Sequence, residues 1–83
     1  MYNVEFTHKA DLQFSKLSVD LQQRITNVLE RIKINPYHHI KRKEGTNEFL
    51  LRIGDYRVVL HIKNDEKIIY IVEIGHRKNI YKK

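Results

Sequence analysis

Arg52, Arg57 and His61 sit close together late in the chain, and His76, Arg77 and Tyr81 follow near its end. An arginine fork donates two parallel hydrogen bonds to a phosphate and stays charged at any relevant pH. An imidazole exchanges protons near neutrality, and a phenol can stack on a base or pass a proton. Such a set suits gripping a phosphodiester and moving protons beside it. The basic run Lys41, Arg42 and Lys43 adds further phosphate contacts. Taken one at a time, the same residues have plainer readings. An arginine on a strand face is usually solvated, His61 and His76 read as surface histidines, and Tyr81 reads as packed on a sheet edge.

Other chemistries lack their residues. His38 and His39 are adjacent, so in an extended loop they point apart, and no carboxylate stands at ligand spacing from them. No metal site and no cofactor are expected. The chain has no cysteine, which removes disulfides and thiolate ligands. A Gly-rich phosphate loop, a Gly-x-Ser-x-Gly elbow and paired carboxylates are all missing, which sets aside ATP-dependent and serine-hydrolase chemistry.

The elements that must hold the arginines are legible from spacing. Leu51-Arg52-Ile53-Gly54-Asp55-Tyr56-Arg57-Val58-Val59 reads as strand, Gly-Asp turn and strand, because glycine reaches positive φ without steric cost. Strands are expected at about 48–53, 56–63 and 67–74, the last two joined by Asn64-Asp65-Glu66. Alternation puts Tyr56, Val58, Leu60 and Ile62 on one face and Arg57, Val59, His61 and Lys63 on the other. On the last strand it groups Ile68, Tyr70, Val72 and Ile74 against Ile69, Ile71 and Glu73. Glycine 75 onward reads as a polar, basic tail.

Earlier in the chain, Tyr2, Val4 and Phe6 alternate as a first strand. Thr7 caps a helix with apolar positions at Ala10, Phe14 and Leu17, and Ser18 caps a second. Leu21, Ile25, Val28, Leu29 and Ile32 make its apolar stripe, with Gln22, Gln23, Arg24, Asn27, Glu30 and Arg31 mostly on the opposite side. Asn35-Pro36 stops that helix, and 36–47 reads as a loop. The expected fold is α+β: an N-terminal strand and a two-helix antiparallel hairpin on one face of a mainly antiparallel four-stranded sheet, the other face open.

At 83 residues the chain is expected to be one domain. Its net charge is +6, of which residues 1–36 carry +1 and residues 37–83 carry +5. That asymmetry suits a polyanionic partner, although a surface charge of this size also simply keeps a small domain in solution. No apolar run reaches the roughly 20 residues of a membrane span, and the start lacks the pattern of a signal peptide. A soluble cytoplasmic domain with no membrane partner is expected.

In order and motif the chain resembles the RelE-type toxins of the RelE/ParE toxin–antitoxin superfamily, along essentially its whole length. The residues that carry the resemblance are Gly54-Asp55-Tyr56-Arg57 and Gly75-His76-Arg77-Lys78-Asn79-Ile80-Tyr81. The resemblance implies a metal-independent endoribonuclease that enters the ribosomal A site and cuts mRNA there by attack of a ribose 2′-OH on the adjacent phosphate. It implies a RelB-like antitoxin as partner, with operator DNA reached only through that antitoxin. Arg57 then matches the strand arginine on the scissile phosphate, Arg77 the tail arginine on its developing charge, and Tyr81 the tail tyrosine. Lys41, Arg42, Lys43, Arg52, His61, His76 and Lys78 are the expected RNA contacts, with ribosomal RNA beside the mRNA. Lysines that ribosome-dependent members place before the turn fall here on Glu48 and Leu50. Two alternatives follow: a catalytically weak or inactive relative that serves as an antitoxin-binding co-repressor, or a ParE-like gyrase inhibitor.

Overall fold

The computed structural model describes residues 1–38, 40–42 and 48–76. Helix α1 spans His8–Ser15 and α2 spans Val19–Ile32, each begun by the expected cap. Thr7 Oγ1 accepts from the Ala10 N–H and Ser18 Oγ from the Leu21 N–H, both at 3.2 Å, satisfying one orphan donor at each start. The hairpin is closed from α2, where Gln22 Nε2 donates to the carbonyls of Phe14 at 2.9 Å and Leu17 at 3.3 Å. Carbonyls at the end of α1 thus find a partner on the next helix. After α2, Pro36–His38 form a single 3₁₀ turn.

The strands are β1 (Asn3–Phe6), β2 (Lys41–Arg42), β3 (Glu48–Ile53), β4 (Tyr56–Lys63) and β5 (Ile68–His76), in the order β1-β5-β4-β3-β2. Among the described strands only β1 pairs in parallel, with β5. The four expected strands are β1, β3, β4 and β5. The two-residue β2 is a short addition from the stretch read as a loop, pairing with Leu50 and Phe49. The β3–β4 turn has Gly54 at φ 60° and no positive φ at Asp55, the pattern of a hairpin turn with glycine first.

The core lies between the helices and one sheet face. Ile25, Leu29 and Ile32 of α2 and Ala10 of α1 meet Leu51, Ile53, Val58, Leu60, Ile69, Ile71 and Ile74. Ile74 departs from the expected alternation. Val59 stands opposite Glu73 and Leu60 opposite Ile71, so Val72 is an extra residue in β5. This bulge turns Ile74 to the same side as Ile69 and Ile71, and all three are buried. A simple period of two cannot anticipate that, because the inserted residue resets the pattern.

Helix α1 fastens the bulge. Thr7 Oγ1 lies 3.1 Å from the Ile71 carbonyl and 3.2 Å from that of Val72, and Gln13 Oε1 accepts the Ile74 N–H at 2.7 Å. Lys9 Nζ adds an ion pair to Glu73 at 3.6 Å. A Gln13→Leu substitution is expected to leave the Ile74 N–H without its acceptor and to lower stability by about 1–3 kcal/mol. Gln13→Glu keeps an acceptor oxygen and should recover most of the loss. Urea unfolding midpoints of the two variants check this, and equal midpoints would remove the bulge-anchoring role of Gln13.

Candidate functional site

The strand register arranges the sheet face opposite the helices in three cross-strand rows. Arg52, Arg57 and Gly75 form the first, Leu50, Val59 and Glu73 the second, and Glu48, His61 and Tyr70 the third. Arg52 and Arg57 are direct partners across β3 and β4, the only like-charged pair in the described ladders. Like charges placed opposite one another are destabilising unless acceptors or counter-charges compensate them. Gly75, beside Arg57 on β5, lies two positions before Arg77.

Burial separates the two arginines. Arg52 is exposed, while Arg57 is only 3% exposed, against the expectation of a solvated strand-face arginine. Arg57 Nη1 donates to the Tyr56 carbonyl at 3.1 Å and more weakly to the Gly54 carbonyl at 3.4 Å. The hairpin turn therefore holds the guanidinium in place. Burying a charge is costly unless such groups solvate it. The expected face was right, and the expected wetness was not. Val59, the next residue on that face, is also buried, so an apolar step separates the arginine row from the third row.

His61 is exposed and stands opposite Glu48. Four residues along a strand place it about 13 Å from Arg57, too far for both to touch one phosphate. His76 corrects the expectation of a tail. It is the last residue of β5, opposite Tyr56, with the rings in an edge contact at 5.5 Å. Because neighbours on a strand alternate, His76 projects on the side opposite Arg57. Lys41 takes the register position opposite Leu50, in the second row, and Arg42 the position opposite Phe49. Lys43, Arg77, Lys78 and Tyr81 lie outside the described residues. Glu48 and Leu50 do occupy the open-face positions on β3. Among the described residues no cluster of three or more His, Cys, Asp or Glu is placed to hold a metal ion, and no helix is long and apolar enough to cross a membrane.

Spacing alone did not single out Arg24 and Arg31 of α2. Their separation of seven residues, two helical turns on one side, was the available signal. With Arg52 they line an open cleft between α2 and the β3–β4 turn.

Similarity to other proteins agrees with this architecture. A family model for the ParE toxin of the parDE type II toxin–antitoxin system matches residues 4–81. A Methanocaldococcus jannaschii protein named as the toxin candidate RelE1 is 30% identical over 86 residues, spanning 98% of this chain and 96% of its own. A chain of the RelBE2 toxin–antitoxin complex from Mycobacterium tuberculosis superposes with a TM-score of 0.81 at 25% identity, covering 92% of this chain and 98% of that one. A chain of the intact E. coli RelBE complex reaches 0.83 at 15% identity, covering 92% and 96%, a likeness of fold. The matched span of residues 4–81 takes in both the arginine row and the helix hairpin, and this chain belongs to the ParE toxin family of type II toxin–antitoxin systems, within the RelE/ParE superfamily.

Proposed function

We propose that this toxin is an endoribonuclease that cuts mRNA in the ribosomal A site and so blocks translation in the cytoplasm. The observation that carries the proposal is the Arg52–Arg57 pair, with Arg57 pinned by the hairpin carbonyls. A guanidinium fixed before substrate arrives needs no reorganisation when charge develops on a phosphate. In the reaction the ribose 2′-hydroxyl gives up its proton to a general base as its oxygen attacks the adjacent phosphorus, and the bond from phosphorus to the 5′-oxygen breaks. The upstream fragment keeps a 2′,3′-cyclic phosphate, and the departing 5′-oxygen takes up a proton. Metal ions are not required for these steps.

Arg57 holds the non-bridging oxygens of the scissile phosphate, and Arg77 is assigned to the charge that grows on them. Tyr81 is assigned to proton transfer or to stacking on the base. Arg52 and the position of Lys41 supply the cations that Glu48 and Leu50 do not, and His61 contacts RNA farther along the strand. His76, on the side of Tyr56, is left out of the phosphate clamp.

A RelB-like antitoxin neutralises the protein in this proposal, as the toxin–antitoxin complexes named above support. Expression of the toxin alone should arrest growth, and co-expression of its antitoxin should restore it. DNA supercoiling by gyrase should continue during the arrest. Harmless overexpression would favour the inactive co-repressor, and blocked supercoiling with intact mRNA would favour a gyrase inhibitor.

A further inference from the structure

The cleft between α2 and the β3–β4 turn has an unusual charge arrangement. It is open, about 340 Å³ in volume, and lined by Arg24, Asn27 and Arg31 from α2 and by Arg52 and Gly54 from the hairpin. The Arg24 guanidinium lies over the turn glycine, with Nη2 3.3 Å from where a Gly54 Cβ would stand. Among the described residues no carboxylate pairs with any of these three arginines, and no acceptor takes a hydrogen bond from their side chains. Glu30, next to Arg31 in sequence, is paired with Lys33 at 2.8 Å instead. Asp55, in the same turn as Gly54, makes no ion pair with them. Three arginines line one cleft, and among the described residues none of them has a counter-charge of its own.

The place of the cleft decides what it faces. Among the described residues strand β2 pairs only with Phe49 and Leu50, so within them the edge of the sheet beyond Leu50 is β3 itself. Arg52 stands at that edge. It partners Arg57 across the hairpin and also lines the cleft. A polyanion lying along the arginine row can therefore continue around the edge and onto α2 without leaving positive charge. Planar forks on both sides suit phosphate oxygens, which accept paired hydrogen bonds.

We infer that this cleft is a second phosphate subsite, where Arg24, Arg31 and Arg52 bind the sugar–phosphate backbone of RNA next to the nuclease face. The inference rests on the nuclease proposal for its choice of RNA. The shared ligand chemistry is an RNA phosphodiester, from the mRNA strand or from a structured RNA beside it.

The test is equilibrium binding of 2′-O-methyl oligouridylate, which cannot be cleaved, measured against salt concentration. A duplex 2′-O-methyl RNA and poly-glutamate serve as the other arms. For single strands each phosphate contact contributes roughly 0.7 to the slope of log K against log salt. Arg24→Gln with Arg31→Gln should flatten the single-strand slope by about 1.4 and weaken low-salt binding by about tenfold. Arg24→Lys with Arg31→Lys keeps the charges and should keep the slope, which separates charge loss from misfolding. Loss confined to the single-strand arm assigns the subsite to the mRNA strand, and loss confined to the duplex arm assigns it to structured RNA. An unchanged slope for both RNAs in the glutamine variant overturns the inference. So does poly-glutamate binding that depends on the two arginines while RNA binding does not. Wild-type protein that shows the arginine-dependent slope yet leaves A-site mRNA uncut removes the nuclease proposal and leaves the subsite standing.

Discussion

Replacing Arg57 with alanine is expected to reduce mRNA cleavage per folded molecule roughly 100- to 1000-fold, the usual cost of losing a donor aimed at developing phosphoryl or acyl charge. The same change should lower stability by about 2–4 kcal/mol, because a buried side chain is removed and the Tyr56 and Gly54 carbonyls lose a charged donor. The two effects must be read separately. Unfolding by urea gives the stability loss, and cleavage is then normalised to the folded fraction. Arg57→Lys retains a charge but loses the planar fork, so it should fold better than the alanine variant and still cut slowly. If Arg57→Lys cleaves at the wild-type rate, the bidentate phosphate role assigned to Arg57 is wrong.

Leu60→Ala is expected to have the largest effect on folding alone. Leu60 is fully buried and lies opposite Phe49 on one side and Ile71, beside the bulge, on the other. Truncation of such a leucine costs about 2–5 kcal/mol, the lost transfer energy plus the cavity left behind. A domain of this length has roughly 4–12 kcal/mol of stability in total, so the variant should be partly unfolded at growth temperature. Denaturant titration checks the size of the loss. Because Leu60 points to the helices, the folded fraction should cleave RNA at the wild-type rate, in contrast to Arg57→Ala.

Much of this molecule was legible in its sequence, where the signal was local and periodic. Thr7 and Ser18 begin their helices because a hydroxyl before an apolar periodic run meets an orphan N–H. Gly54 turns the hairpin because a two-residue loop needs positive φ. The β3 and β4 faces followed from alternation, so Arg52, Arg57 and His61 were placed on one side correctly. What escaped was non-local. The bulge at Val72 depends on Thr7 and Gln13, more than sixty residues away in sequence for Ile74 and Gln13, and no period along β5 encodes it. The burial of Arg57 depends on what packs over a strand, which composition does not report. Arg24 and Arg31 do lie on the exposed side of α2, but only the fold brings them to one cleft with Arg52. His76 reads as tail because Gly75 resembles a stop signal, while in the sheet Gly75 stands opposite Arg57 and His76 opposite Tyr56.

Cleavage of mRNA in the A site is read out by mapping the 5′ ends of mRNA fragments on stalled ribosomes in a purified translation reaction. The expected result is 5′-hydroxyl ends within the A-site codon, matching upstream fragments that end in a 2′,3′-cyclic phosphate. Both should fade in Arg57→Lys protein of confirmed fold. Intact A-site mRNA in the presence of folded wild-type toxin would rule out cleavage there, and cleavage that Arg57→Lys leaves unaltered would rule out only the phosphate role of Arg57.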